Sequence, residues 1–180
     1  MRHALLLSLA ALVSAAAGGC SLDLQDETVE TTTTIPVDDG PVRPPTIVGA
    51  PVLATDLIVG DCFNEYHYDD PTTGDRVDVI SLVGCGDPHD GEVFYFGEYP
   101  APFGTPYPGD DAMRRYAQGT CYQQFEPFVG ILYELSELQI GVVTPNQINF
   151  EDEKARYRGI TCTVTLPGEK LIGTTRNTEL

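Results

Sequence analysis

Cys62, Cys85, Cys121 and Cys162 follow an N-terminal export signal, and an exported chain with an even set of cysteines has few ways to fold. Outside the cytoplasm thiols oxidise, so two disulfides are expected. Every gap between successive members of the set exceeds twenty residues, which excludes the close C-x-x-C spacing of a zinc site or a redox-active dithiol. Four cysteines allow three pairings, and spacing alone does not choose among them.

The signal is read from its three parts. Arg2 and His3 make a positive start, residues 4–17 are apolar apart from Ser8 and Ser14, and Ala17-Gly18-Gly19-Cys20 closes the run with small residues before a cysteine. That is a lipoprotein signal over residues 1–19, with a lipobox in which Ala17 stands where Leu, Val or Ile is commoner. Cys20 is the expected lipidation site, its diacylglyceryl thioether holding the protein on the extracytoplasmic face of the cell membrane. The apolar run is shorter than the roughly 20 residues a spanning helix requires.

Residues 20–54 have the composition of a tether. They carry a threonine run at 31–34, Asp23, Asp26, Glu27, Glu30, Asp38 and Asp39, and Pro36, Pro41, Pro44 and Pro45, with no apolar periodicity to bury. Disorder is expected there, and proline and like charge would let the tether reach about 110 Å when extended. One domain over residues 55–176 follows, about 120 residues and enough for a single modest core. Residues 177–180 read as a tail.

Charge narrows the partners. The formal net charge is −17, and removal of a signal containing Arg2 makes it one unit more negative. Such a surface repels phosphate backbones, so no nucleic acid partner is expected, and it repels anionic headgroups, which leaves the lipid anchor as the membrane contact.

Patterning predicts an α+β domain, a small antiparallel sheet packed on one main helix and stapled by two disulfides. A short strand at 56–59 is expected to enter a turn at Gly60-Asp61-Cys62-Phe63. Residues 77–83 alternate as a second strand and lead into a loop at 84–89. Residues 92–99 alternate as a third, with Val93, Tyr95, Gly97 and Tyr99 on one face and Phe94 and Phe96 on the other. Pro100, Pro102, Pro106 and Pro108 then forbid regular structure. A helix follows with Asp110 as its N-cap, Asp111 in its first turn and Gly130 at its left-handed end. Met113, Ala117, Cys121, Phe125 and Phe128 form its buried stripe. Leu132, Leu135, Leu138 and Ile140 suit a short amphipathic turn and a strand, 146–152 one helical turn, 155–166 a late strand with Cys162, and 171–174 a brief final strand.

The spacing of Gly60-Asp61-Cys62-Phe63, Cys85 with Pro88-His89-Asp90-Gly91-Glu92-Val93, Cys121 with Phe125 and Val129-Gly130, Thr144-Pro145, Arg158 and Cys162 resembles the septum formation family of actinobacterial envelope proteins. The resemblance covers about residues 58–175, and Phe150 stands where that family carries a tryptophan. It implies a link to cell division or the cell envelope, without a reaction or catalytic residues to carry over. It also brings Asp61 and Glu92 near the same disulfide. The pairing expected is Cys62 with Cys85, joining the first turn to the loop at 84–89, and Cys121 with Cys162, tying the helix to the late strand.

Chemistry then rests on few residues. Asp87, His89, Asp90 and Glu92 form a candidate functional loop in which His89 is either a general base or metal ligand, or an imidazole that holds the turn after Cys85 in shape. The second role is expected. His67, beside Tyr66, Tyr68, Asp69 and Asp70, reads as part of an exposed acidic loop rather than a metal site. No nucleophile elbow, zinc-protease motif or phosphate loop occurs, so no catalytic residue, metal or cofactor is expected. Glycosidase chemistry on Asp61 and Glu92 would need the carboxyls about 5 to 9.5 Å apart in a cleft. The reading that follows is a non-enzymatic lipoprotein binding an envelope protein or cell-wall ligand through Tyr95, Tyr99, Tyr107 and Tyr122. The alternative is an enzyme acting on envelope polymer, or through a metal, with the His89 loop.

Overall fold

The computed structural model describes residues 44–154 and 157–180; the signal, Cys20 and the tether up to residue 43 lie outside them. Six strands, β1 (Ala50–Val52), β2 (Cys62–Asp69), β3 (Arg76–Val83), β4 (Gly91–Glu98), β5 (Gln139–Val143) and β6 (Gly159–Thr165), form one sheet in the order β1-β3-β2-β4-β6-β5. Every neighbouring pair is antiparallel. Two helices, α1 (Asp110–Val129) and the single-turn α2 (Gln147–Glu151), complete the fold. The expected α+β class with one main helix and two disulfides is what the chain adopts.

The stripe on α1 decides where the larger core sits. Met113, Ala117, Cys121, Phe125 and Phe128 are all buried, and they pack on Phe94, Ile160, Cys162 and Val164 of β4 and β6. Directly opposed residues share a face, so Val142 and Ile140 of β5, opposite Cys162 and Val164, face the helix as well. On the other face a smaller cluster of Leu57, Phe63 and Val93 is flanked by Val52, Ile80 and Leu82. The Phe63 ring lies over Gly91, where an added Cβ would come within 2.6 Å of it, so this crossing requires glycine. Each disulfide belongs to a different part of the sheet. Cys121–Cys162 lies inside the larger core, and Cys62–Cys85 ties the start of β2 to the loop after β3.

Several expectations are corrected. Residues 56–59 are not a strand: a 3-10 turn at Ala54–Asp56 precedes them and Leu57 plugs the smaller cluster. The first long strand is β2, and its polar second half, with His67, is strand rather than the exposed acidic loop expected, pairing with β3 along its whole length. Within the stretch expected to be a tether, Ala50–Val52 pairs with Ile80, Ser81 and Leu82, so the sheet begins before residue 55. On β4 the register shifts between Val93 and Tyr95. Phe94 is the extra residue of this bulge, and it joins Tyr95 on the helix side, while Val93 and Phe96 lie on the opposite face, Val93 buried in the smaller cluster and Phe96 exposed. Gly109, not Asp110, occupies the N-cap of α1, with both aspartates in the first turn. Gly130 ends the helix at φ 94° as expected. Leu132 and Leu135 are exposed, and only Leu138 of that group is fully buried. The final strand reduces to one bridge, Leu171 with His89.

Residues 177–180 are attached rather than a free tail. The Asn177 and Glu179 amides donate to the carbonyls of Phe128 and Val129 at 2.9 and 3.0 Å, supplying partners for the end of α1. Arg176 stacks on the Phe128 ring at 4.4 Å.

Candidate functional site

The loop from Cys85 to Glu92 brings its four polar residues close in sequence but sends them to different tasks. His89 is 0 % exposed; its amide and carbonyl both pair with Leu171, and Nδ1 lies 2.8 Å from the Asp87 carbonyl. That carbonyl only accepts, so Nδ1 carries a proton, and Nε2 has no hydrogen-bond partner. A general base must reach the proton it removes, and a ring this buried reaches no solvent. The His89 ring and the bridge to Leu171 hold the turn after Cys85 in place.

Its neighbours serve as anchors too. Asp90 accepts from the Glu65 amide at 2.9 Å and pairs with Lys170 at 2.5 Å, while Lys170 also donates to Asn64 at 2.8 Å. Glu92, opposite Val164 on the helix side, is buried and accepts from the Thr174 hydroxyl, the Thr175 amide and the Thr175 hydroxyl at 2.5, 2.6 and 2.7 Å. Asp87 is exposed, and its amide closes a turn on Gly84. The Asp61 carboxylate accepts from the Ile58 amide at 2.9 Å. Asp61 and Glu92 therefore both hold backbone segments in place, and Glu92 is not in a cleft.

His67 is on β2, not on a loop. Its Nδ1 is 2.7 Å from Asp78 and its Nε2 3.7 Å from Glu65. The hydrogen bond from His67 holds the Asp78 carboxyl below its usual range, with Arg76 adding to the effect. Among the described residues no group of three His, Cys, Asp or Glu side chains is placed to hold a metal ion.

The four tyrosines expected to present a binding surface do not gather on one. Tyr95 and Tyr99 pack against the larger core, Tyr99 edge-on to Tyr116 and Phe150. Tyr107 donates to Asp110 at 2.8 Å and packs edge-on to Phe150. Burial, with the Asp110 carboxylate behind it, pushes the Tyr107 phenol up to about 12. Tyr122 is exposed and bound to Glu134 at 2.5 Å.

An open cleft of about 580 Å³ lies elsewhere, between the loop containing Phe103, Gly104, Thr105 and Pro106 and the residues Phe150, Glu151, Asp152, Glu153 and Arg158. Its volume is in the range of small-ligand sites. Arg158 is 7 % exposed, with its guanidinium carbon 4.0 Å from the centre of the Phe150 ring and 5.5 Å from that of Phe103. Its Nε and Nη1 have no hydrogen-bond partner. Glu151 at the rim accepts from the Tyr107 amide and from Gln147 at 2.9 and 3.1 Å, and the first of these bonds leads in holding its carboxyl below the usual range.

Sequence reading did not single out this cleft. Arg158 and Phe150 enter the sequence reading only through the family resemblance, and nothing in the local pattern Arg156-Tyr157-Arg158-Gly159 marks Arg158 as buried. At the next residue, Gly159, an added Cβ would come within 2.7 Å of Phe96 and 2.8 Å of Tyr157. No helix among the described residues is long and apolar enough to cross a membrane. In comparison with known proteins, the chain matches no family model, no curated protein and no solved structure.

Proposed function

We propose that this chain is a lipid-anchored extracytoplasmic binding protein of the septum-formation type, acting in the cell envelope or at division without catalysing a reaction. The observation that carries the reading is the oxidised state of all four domain cysteines, in two disulfides that agree with the export signal and lipobox ahead of them. The His89 loop supports it from a second side, because Asp90 and Glu92 each hold another segment of the backbone and His89 is sealed beneath the Leu171 bridge. The resemblance in the segments around Cys62, Cys85, Cys121 and Cys162 supplies the link to septation.

Detergent phase separation tests the anchor and depletion tests the role. The native protein should enter the detergent phase and the Cys20→Ala protein should not, while depletion should change septum placement or cell length. A Cys20→Ala protein that still partitions with detergent after normal processing contradicts the anchor. Normal septa and cell length on depletion contradict the division role.

A further inference from the structure

The sheet is staggered, and the stagger leaves a strand edge open in its middle. β4 pairs with β6 along its whole length but with β2 only at Gly91 and Glu92. Val93 still bonds to Gly60 and Asp61, at 2.8 and 2.9 Å, and there the chain turns off, the Asp61 amide donating to the Ile58 carbonyl at 3.1 Å. From Phe94 to Glu98 no strand of the described residues lies on that side. The Tyr99 amide donates to the Arg158 carbonyl, just ahead of β6, at 2.9 Å, so by alternation Gly97 and Tyr95 also point their main-chain groups at β6. Those of Phe96 and Glu98 point the other way, where no main-chain bond among the described residues uses them.

An apolar cavity of about 340 Å³ adjoins this edge, lined by Asp56, Leu57, Ile58, Val59 and Phe96. Ile58, Val59 and Phe96 are 66, 44 and 41 % exposed. Folded proteins blunt an open edge beside exposed apolar groups unless it is used, and β1, at the border of the sheet, is blunted: it has three residues, one of them Pro51. Phe96 and Glu98 are two apart on β4, so their side chains share the face of the cavity. A segment added antiparallel, like every pair in this sheet, would set one residue opposite Phe96 and the residue two before it opposite Glu98. The first meets the cavity and suits an apolar side chain; the second meets a carboxylate and suits a basic one. Neither Glu98 nor Asp56 enters an ion pair among the described residues. A second copy would bring another −17, and an anionic membrane surface has the same sign. We infer that the open edge of β4 at Phe96 and Glu98 binds an extended segment of a partner protein by strand addition, with an apolar side chain in the cavity and a lysine or arginine two residues before it against Glu98. This deepens the binding function proposed above and rests on it.

The test uses the full-length mature protein in detergent, isotope-labelled on nitrogen, titrated with the end-capped pentapeptide Thr-Lys-Thr-Phe-Thr. The amide resonances of Phe96 and Glu98 should shift saturably and their exchange with solvent should slow about tenfold, while Tyr95 and Gly97, already bonded to β6, keep their exchange rates. Serine in place of the peptide's phenylalanine, or a methyl group on that residue's nitrogen, should each weaken binding about tenfold. Glutamate in place of the peptide's lysine should weaken it about fivefold, and Glu98→Lys should reverse the preference between the two peptides. Phe96 and Glu98 amides unmoved up to about 10 mM peptide overturn the assignment, as does an N-methylated peptide that binds equally well. Protection of the same amides that grows with protein concentration, without peptide, would put a second copy on the edge and overturn the partner. Detergent partition and septum placement are read separately: a native protein that behaves as expected in both but fails this titration loses the strand-addition site alone.

Discussion

Glu92 begins its strand as an acidic residue between Gly91 and Val93, and nothing in that neighbourhood announces that its carboxylate accepts three hydrogen bonds from Thr174 and Thr175. Gln at this position keeps the shape, replaces one acceptor by a donor and removes the charge. Glu92→Gln should therefore lower the unfolding free energy by about 2 to 3 kcal/mol, read from the urea midpoint. A midpoint unchanged within error would mean that the latch contributes nothing. The residue scale is also where sequence reading was weakest. Asp87, His89, Asp90 and Glu92 are neighbours in sequence, but the partners of the last three, Leu171, Lys170 and the two threonines, lie far along the chain. The burial of Arg158 is hidden for the same reason: the Phe103 ring over its guanidinium arrives from a loop on the other side of α1 in sequence.

Elements with a single strong period were legible and elements without one were not. The α1 stripe repeats every three or four residues against one core, so its buried face follows from the sequence, as does Gly130 at its end. The second half of β2 is polar because the smaller cluster reaches only as far as Ile80, opposite Glu65, and beyond it His67 faces Asp78. Alternation across β4 misled because one extra residue at Phe94 reverses the faces before and after it. Residues 177–180 looked like a tail because they are polar, yet the bonds they make are main-chain bonds that composition does not reveal. Truncation after Arg176 removes the two amides that close on Phe128 and Val129, and it should cost about 2 kcal/mol at about 1 kcal/mol per bond. Thermal unfolding of the truncated protein checks this, and an unaltered melting temperature would show that the end of α1 is satisfied by water alone.

At the scale of the whole molecule, one disulfide joins the helix to the sheet and the other continues the β2–β3 pairing, in which Cys62 opposes Val83, into the following loop. Cys121–Cys162 joins α1 to β6 inside the larger core, while Cys62–Cys85 secures the loop that carries His89 to the start of β2. By loop entropy each bridge is worth about 3 to 4 kcal/mol against the unfolded chain, against a total of about 5 to 15 kcal/mol for a domain of this kind. Reduction should thus loosen or unfold the protein, and the account of a domain built for an oxidising compartment depends on both bridges being present in the cell. Peptide mapping without reductant, on protein purified from the envelope, tests that most directly. The account predicts fragments linking Cys62 to Cys85 and Cys121 to Cys162; a fragment linking Cys62 to Cys121 or Cys162, or four free thiols in exported material, would contradict it.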